Sequence, residues 1–432
     1  MTVANGTHAR RIVDLANLIQ DSVAKLDQVL IDQNTPLPSF EEDAPASLPD
    51  EALEFQRTVL DATDELHDLL LDPLSLIYKN TTCYNLISLQ VISRFNIACM
   101  VPPGGTISYD EIARQTDLNE PTVRRLLRHA MALHIFQEPE QGMVAHTNAS
   151  RLLRDPGTSA FMSFHPEIAW PSTVKLLEAW QKWPGSEEPS ETAFSLAHNG
   201  IASLYQLFSR NPEGALRFAA GMQVFGNLPQ FHMDRTVEGY EWQALGKSKI
   251  VDVGGSEGHL CIALAQRYPD LTFVVQDMAK VVEKGQANLP HDLEGRVEFV
   301  AHDAFFAQNI DADVYLFRTV FHNWSDKYCI RILRALVPVL KPGVKILIND
   351  MCLPEPGTIP ARVELDMRCM DLSMAALFNA RERDEAEWRN LLLEADSRFV
   401  LKRVIQPPGA ALAIMEVVWE ETSLFPRTIL EL

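Results

Sequence analysis

The chain has 432 residues, 47% of them hydrophobic, and a formal charge of −20. That length exceeds one typical domain and fits two, with enough apolar material for a sizeable core. The charge weighs against nucleic acid or an anionic membrane as a partner, because only a local basic patch could override the net field and the sequence shows none. The six cysteines (Cys83, Cys99, Cys261, Cys329, Cys352, Cys369) are scattered, with no CxxC pair and no histidine at zinc-ligand spacing. Buried thiols in a reducing compartment are expected, with no disulfide framework and no metal. The first thirty residues lack a long apolar run behind a basic start, so neither a signal peptide nor a membrane anchor is expected, and the location is read as cytoplasmic.

Residues 1–33 carry apolar side chains at helical spacing (Ile12, Leu15, Leu18, Ile19, Val23, Leu26, Val29, Leu30). The acidic, proline-bearing stretch Asn34–Asp50 then breaks the pattern, so 1–50 reads as an amphipathic helix on a flexible tether. Its stripe packs either on a partner subunit or on its own domain. From Glu51 to about Pro103 the pattern stays helical. Thr106–Thr116 reads as a helix with Ser108 and Glu111 in capping-box register, and Asp117–Leu118 as a turn. Asn119 caps a second helix, Thr122–Leu133, with Pro121 in its first turn. Two short strands, Leu133–Glu138 and Met143–Thr147, flank the hairpin signal Pro139–Gly142. Helix–turn–helix–hairpin is a winged-helix pattern, placed over 51–165. Arg124, Arg125 and Arg128 fall on its second helix, as DNA recognition would require. Leu126, Leu127 and Ala130 fill the rest of that helix, and with the acidic charge they favour dimerisation.

Residues 150–235 look helical and rich in large apolar side chains, among them Phe161, Met222 and Phe225. Most are core; a few could line a pocket for a flat aromatic substrate, so 166–235 reads as a helical linker and substrate cap. The remainder, 236–432, changes rhythm from Lys249. Strands are expected at Ile250–Val253, Thr272–Val275, Val297–Val300, Val314–Phe317, Val344–Asn349, Val400–Ile405 and Ala411–Val418. Helices are expected at Gly258–Tyr268, Ala279–Asn288, Lys327–Leu340 and around Arg389–Ala395. The class is α/β, a parallel sheet closed by a hairpin-like pair.

Val251-Asp252-Val253-Gly254-Gly255-Ser256-Glu257-Gly258 joins the first strand to the first helix. Glycines there let the backbone turn sharply and come close to a ligand. Asp277, ending the next strand, is placed to accept both hydroxyls of a ribose. These features would serve a dinucleotide or adenosylmethionine; the GGxxG spacing and the lack of a basic group for a pyrophosphate favour the latter. Asp303, with Ala304 and Phe305, could hold an adenine amine and ring. His322, in Arg318-Thr319-Val320-Phe321-His322-Asn323-Trp324-Ser325-Asp326, follows the fourth strand, where α/β sheets place their sites. A histidine there can deprotonate a hydroxyl at cellular pH, although a loop histidine on its own is more often structural.

From about Glu51 to Glu421 the sequence resembles the cation-independent, adenosylmethionine-dependent O-methyltransferases of the caffeic-acid/hydroxyindole type. The fungal members that methylate phenolic polyketides, such as the sterigmatocystin O-methyltransferases, are the nearest likeness. DVGGSEGH, VVQD, FHNWSD, LKPG and NARERDEAEW occur in the family's order and spacing, which together are highly specific. The resemblance implies a class I Rossmann-like methyltransferase domain preceded by a mostly helical winged-helix dimerisation domain, and a homodimer. It implies S-adenosylmethionine held by Gly254, Gly255, Asp277, Met278, Asp303, Ala304, Phe305 and Arg318, the last at a position often held by lysine. It implies His322 as general base flanked by Asp350 and Glu382, with Phe161, Met222, Met370, Met374 and Phe378 as pocket candidates for an aromatic substrate. Ser256 departs from a third glycine common in plant relatives, Asn323 from an aspartate, and Asp350 from the usual glutamate. The expected activity is methylation of a phenolic hydroxyl. The alternatives are a pericyclase or cyclase on the same fold and, from the winged helix, a DNA-binding regulator.

Overall fold

A computed structural model describes residues 10–421; the first part of the expected N-terminal helix and residues 422–432 lie outside the described residues. The chain forms two compact units. The first comprises Met1–Trp170, Asn211–Val224 and Gly357–Leu365.

In the first unit α1 (Arg11–Asp32) packs along α2 (Asp50–Leu70). Leu15 and Leu30 are buried, with Ala52 and Ala62 of α2, while Ile12, Val13, Leu18, Val23 and Ile31 remain exposed. The tether between these helices is not a free strand. Gly104 N–H donates to Glu42 Oε2 (2.8 Å), Asn148 Nδ2 donates to Ser39 O (3.2 Å), and Phe40 stacks on His134 at 3.8 Å. The acidic run thus docks on its own unit, since a backbone N–H, a side-chain amide and a ring give it partners there. Next come α3 (Pro73–Lys79), capped by Asp72, and α4 (Asn85–Arg94). The helix–turn–helix is α5 (Tyr109–Thr116) and α6 (Glu120–Met131), joined through Asp117 in a left-handed conformation.

Several local expectations change. Thr106–Ser108 is a strand, β1, which makes the hairpin sheet three-stranded, in the order β1-β3-β2 with β2 at Gln137–Glu140 and β3 at Met143–Ala145. The expected strand start at Leu133 fails because His134 and Phe136 sit at φ 60° and 66°, outside strand geometry. Ser108 Oγ does accept the Glu111 N–H (3.1 Å), but Gln115 donates to the Glu111 carboxylate (2.9 Å), so the cap is one-sided. Ile92, Ile97, Val101, Tyr109, Ile112, Val123, Leu127, Phe136 and Val144 form this unit's core. On its other elements, α7 (Pro156–Phe164) and α8 (Pro212–Gly226), a Cβ at Gly221 would stand 3.0 Å from the backbone N of Phe161, so the helices touch backbone to backbone. The expected long helical run over 150–235 is broken into short pieces, one a π-type turn at His165–Ala169. Prolines such as Pro156, Pro166, Pro171, Pro184 and Pro212 interrupt it.

The second unit comprises Pro171–Arg210, Phe225–Pro356 and Asp366–Leu432. Its sheet holds β4 (Lys249–Val253), β5 (Thr272–Asp277), β6 (Val297–Ala301), β7 (Val314–Arg318) and β8 (Lys345–Asp350), all parallel. A short parallel pair, β9 (Cys352–Leu353) and β10 (Arg383–Asp384), stands apart. β11 (Phe399–Ile405) and β12 (Ala413–Trp419) join antiparallel, giving the order β11-β12-β8-β7-β4-β5-β6. Ile250, Val251, Tyr315, Leu316 and Phe317 are all buried, as a sheet covered on both faces requires. The covering helices are α9 (His259–Arg267), α10 (Ala279–Ala287), α11 (Asp326–Leu336) and α13 (Glu385–Ala395); α12 (Ala361–Phe378) precedes β10. The expected helix to Leu340 stops at Leu336, and Pro338 lies in a 3₁₀ turn beyond it. Because β4 lies between β5 and β7, the strand order reverses there, and the loops after β4 and β7 diverge at the carboxyl edge.

Candidate active site

The turn after β4 is built around backbone that side chains would obstruct. Gly254 has φ +77°, and a Cβ on it would lie 2.9 Å from Val320; on Gly255 it would lie 2.6 Å from Asp252 Oδ2. Both glycine N–H groups donate to Gln276 O (2.8 and 3.1 Å), which locks the turn to the end of β5. Ser256 takes φ 54°, a conformation that glycine would adopt at less cost. Asp277 accepts Ser256 N–H at Oδ2 (2.9 Å) and Met278 N–H at Oδ1 (2.7 Å), and each oxygen keeps a second lone pair for a hydroxyl. Met278 is exposed. Asp303 accepts the Phe305 N–H (3.0 Å), while the Phe305 ring packs edge-on to Trp324 at 4.7 Å.

Two buried polar atoms at this edge, Asp252 Oδ1 and Arg318 Nε, find no partner among the described residues. Burial pushes the Asp252 carboxyl up to about 6, against the Cys261 hydrogen bond and the Arg318 charge. Burial pulls the Arg318 guanidinium down, opposed by Asp252 and Asp350, and Arg318 Nη2 donates to Phe231 O (2.6 Å). A glycine cradle, a ribose-type carboxylate and unmet buried donor and acceptor groups fit a nucleoside carrying a zwitterionic tail.

The second cluster stands on the loop after β7. Thr319 at φ 52° turns the chain, and Asn323 Nδ2 closes the loop on Thr319 O (3.0 Å). His322 Nδ1 lies 3.1 Å from Glu382 Oε1, with side chains 16% and 1% exposed. Asp350 Oδ2 accepts the Phe321 N–H (3.0 Å), so the end of β8 and the segment just before β10 each supply an acid to the histidine loop. Asp350 Oδ1 and Glu382 Oε2 are buried with no partner among the described residues. Burial opposes charging of His322, but the Glu382 hydrogen bond and the charges of Asp350 and Glu382 outweigh it, and its pKa is raised. Burial likewise lifts Asp350 to about 6. With Nδ1–H donated to Glu382, Nε2 is left with a lone pair to accept a proton.

Of the pocket candidates, Phe161 and Met222 lie half-buried in the first unit. Met370, Met374 and Phe378 recur every fourth residue along α12 in the second, and Phe378 meets Tyr205 at 6.3 Å. Several supporting residues carry no sequence signal. Gln276 and Gln308 exchange two amide bonds (3.1 and 2.7 Å), and Gln308 Oε1 holds the 309–310 backbone. Glu187 accepts from Lys327 N (2.9 Å) and Glu188 from Tyr328 OH (2.8 Å), fastening the 187–188 segment beside the His322 loop. Asp371 Oδ1 accepts the Glu382 N–H (2.8 Å). Among the described residues no His, Cys, Asp and Glu cluster is placed to hold a metal ion.

Comparison with known proteins adds independent findings. A family profile described as an O-methyltransferase domain matches residues 183–397. The O-methyltransferase PaMT of Phomopsis amygdali is 45% identical over 415 residues, 95% of this chain and 97% of that one. The O-methyltransferase of the grayanic acid biosynthesis cluster of Cladonia grayi is 39% identical, over 97% of this chain and 90% of its own. The solved structure of OxaC with sinefungin and meleagrin matches at TM-score 0.72 and 22% identity, covering 93% of this chain and 99% of that one. A pericyclic reaction enzyme matches at TM-score 0.69 and 21% identity, over 93% of this chain and 100% of that one. At such identities these two structures speak for the fold alone.

Proposed function

The chain belongs to the S-adenosylmethionine-dependent O-methyltransferases, and from that premise we propose that His322 takes the proton of a phenolic hydroxyl as its oxygen is methylated. The observation that carries this reading is the His322–Glu382 contact of 3.1 Å between nearly buried side chains, with Asp350 at the end of β8 gripping the same loop. Bound adenosylmethionine supplies an electrophilic methyl group on a positively charged sulfur. Gly254 and Gly255 would admit its backbone-close portion, Asp277 its ribose hydroxyls, and Met278, Asp303, Ala304 and Phe305 its adenine, with Arg318 at the same edge.

A phenol has an unperturbed pKa of about 10. His322 therefore shares the proton first and takes it fully as the oxygen commits to bond formation. Glu382 orients the ring, and both acids stabilise its charged form. A site from which water is excluded favours a step in which opposite charges disappear. Phe161, Met222, Met370, Met374 and Phe378 are the side chains proposed to shape the acceptor pocket. An aromatic, polyketide-type acceptor is the substrate class proposed, in keeping with the resemblance to fungal enzymes that methylate phenolic polyketides.

The 51–165 region is read as a winged helix used for homodimerisation. Exposed Leu18 and Val23 on α1, Leu74, Ile77 and Tyr78 on α3, and Ile87 on α4 suit a second copy of the chain. Arg128 is held bidentately by Glu138 (2.8 Å, 2.8 Å) and Arg124 lies 3.4 Å from Glu120, which speaks against a DNA surface. No helix of the described residues is long and apolar enough to cross a membrane; a cytoplasmic location rests on the scattered cysteines. The pericyclase reading is disfavoured by the intact histidine with both acids. Incubation with methyl-labelled adenosylmethionine and aromatic polyketide phenols tests the activity. His322→Gln is expected to keep donor binding and lose transfer; undiminished transfer would remove the base assignment.

A further inference from the structure

Behind the base loop lies a side chain that no motif singles out. Arg383, the residue after Glu382, has a side chain only 1% exposed. Its Nε and Nη2 both reach Asp326 Oδ1 (2.8 and 2.6 Å). Nη2 also donates to Trp324 O (3.0 Å), and Nη1 to Phe321 O (3.5 Å) and Arg381 O (3.2 Å). The guanidinium stands 3.4 Å from Cys329 Sγ and 5.2 Å from the Trp388 ring centroid. Cys329 Sγ leans on the same two loop carbonyls, Phe321 O (3.4 Å) and Trp324 O (3.3 Å).

Those carbonyls bracket His322, and Arg381 O precedes Glu382. One planar fork thus ties together the two chain segments that supply the halves of the His322–Glu382 hydrogen bond. A lysine ammonium, a single point of donors, could not reach these acceptors at once. Stability alone does not account for the arrangement. The partner carboxylate Asp326 is 41% exposed, so it repays poorly the desolvation of a fully buried guanidinium.

We propose that Arg383 is a positioning residue for proton transfer, locking the His322 loop to the segment that carries Glu382 and keeping a fixed positive charge behind the imidazole. This rests on His322 acting as the base. The groups facing His322 are Glu382 and Asp350, which favour its charged form, and Arg383, which opposes it. Facing Arg383 are Asp326, Cys329 and Asp350; Asp371 holds the Glu382 backbone, and Arg318 lies in the field of Asp350. Arg383 therefore limits how far the acids raise the base.

The test uses the full chain carrying Arg383→Lys, Arg383→Met or His322→Gln, with kcat against pH, donor affinity by calorimetry and thermal melting. Arg383→Lys keeps the charge and loses the fork. Its kcat is expected to fall about 10- to 100-fold at unchanged donor affinity, with the acid limb of the profile in place. Arg383→Met also loses the charge, and its acid limb is expected to move to higher pH. A folded Arg383→Lys within about twofold of the parent kcat would overturn the proposal, as would a loss matched by the loss of donor affinity. If Arg383→Met does not fold, Arg383→Lys decides alone. Turnover retained in His322→Gln removes the base assignment itself; turnover lost there but kept in Arg383→Lys removes only the positioning role.

Discussion

Glu382 and Asp350 serve His322 in different ways, and substitutions separate them. Glu382 makes a direct hydrogen bond to the ring, whereas Asp350 grips the loop through the Phe321 N–H and acts on the ring by charge. Glu382→Gln removes both a charge and the stronger acceptor, so the His322 pKa should fall. On the proposed base role the ring must be neutral to react, so the acid limb of kcat should move to lower pH while kcat itself drops about 10- to 100-fold. A limb that stays in place would show that Glu382 does not tune the ring. Asp252 offers a stability test with the opposite sign from an ordinary salt-bridged acid. Its carboxyl rises from 3.8 to about 6 in the folded chain, chiefly by burial. Its stabilising contribution is therefore complete below the unfolded value and is lost as pH rises to about 6. Asp252→Asn should stabilise the protein by about 3 kcal/mol above pH 7, a gap that shrinks as pH falls toward 4. Denaturant melts across that range check this, and a gap that stays constant with pH would contradict it. His322, Asp350 and Glu382 could be read from sequence because each sits in a recognisable run. The part played by Arg383, though it lies in the same run as Glu382, and by Cys329 could not, since what matters is their meeting on two loop carbonyls, which only the folded topology creates.

At the level of elements, the glycine turn makes the sharpest prediction. Gly255→Ala would place a methyl 2.6 Å from Asp252 Oδ2 and 3.0 Å from Val275 Cγ1. The turn must shift, with a destabilisation of about 1–3 kcal/mol and weaker donor binding by calorimetry; unchanged affinity would mean that the cofactor does not approach this backbone. The parallel strands were readable because buried β-branched runs alternate with amphipathic helices. α12 was not, for a physical reason. Met367, Met374 and Leu377 are buried while Val363, Leu365 and Leu372 are exposed, so apolar side chains surround the helix and leave no single stripe. The hairpin sheet was misread in two places: the strand expected from Leu133 starts only at Gln137, because His134 and Phe136 take positive φ, and Thr106–Ser108 pairs as a strand where a helix start was expected.

On the scale of the whole molecule, the first unit's exposed apolar side chains predict self-association. Leu18→Asp combined with Ile77→Asp should shift the protein from dimer toward monomer in light scattering behind size exclusion, while leaving the second unit's melting unchanged. A parent protein that is already monomeric would contradict the homodimer. The two-unit organisation was only partly readable. Residues 211–224 and 357–365 return to the first unit, and no change in composition marks either excursion. The acidic tether was likewise taken as flexible, since the partners of Ser39, Phe40 and Glu42 (Asn148, His134 and Gly104) lie far along the chain and meet them only in the fold.

The central claim is that His322 supplies a base, and the acidity of the acceptor tests it most directly. Methyl transfer by the parent and by His322→Gln would be measured across ring-substituted analogues of one accepted phenol, at fixed pH and saturating donor. The parent should outpace the variant by about 100-fold or more on phenols that are still protonated. That ratio should fall toward one as the phenol becomes acidic enough to ionise unaided. A ratio that stays constant across the series, or stays near one throughout, would contradict the account.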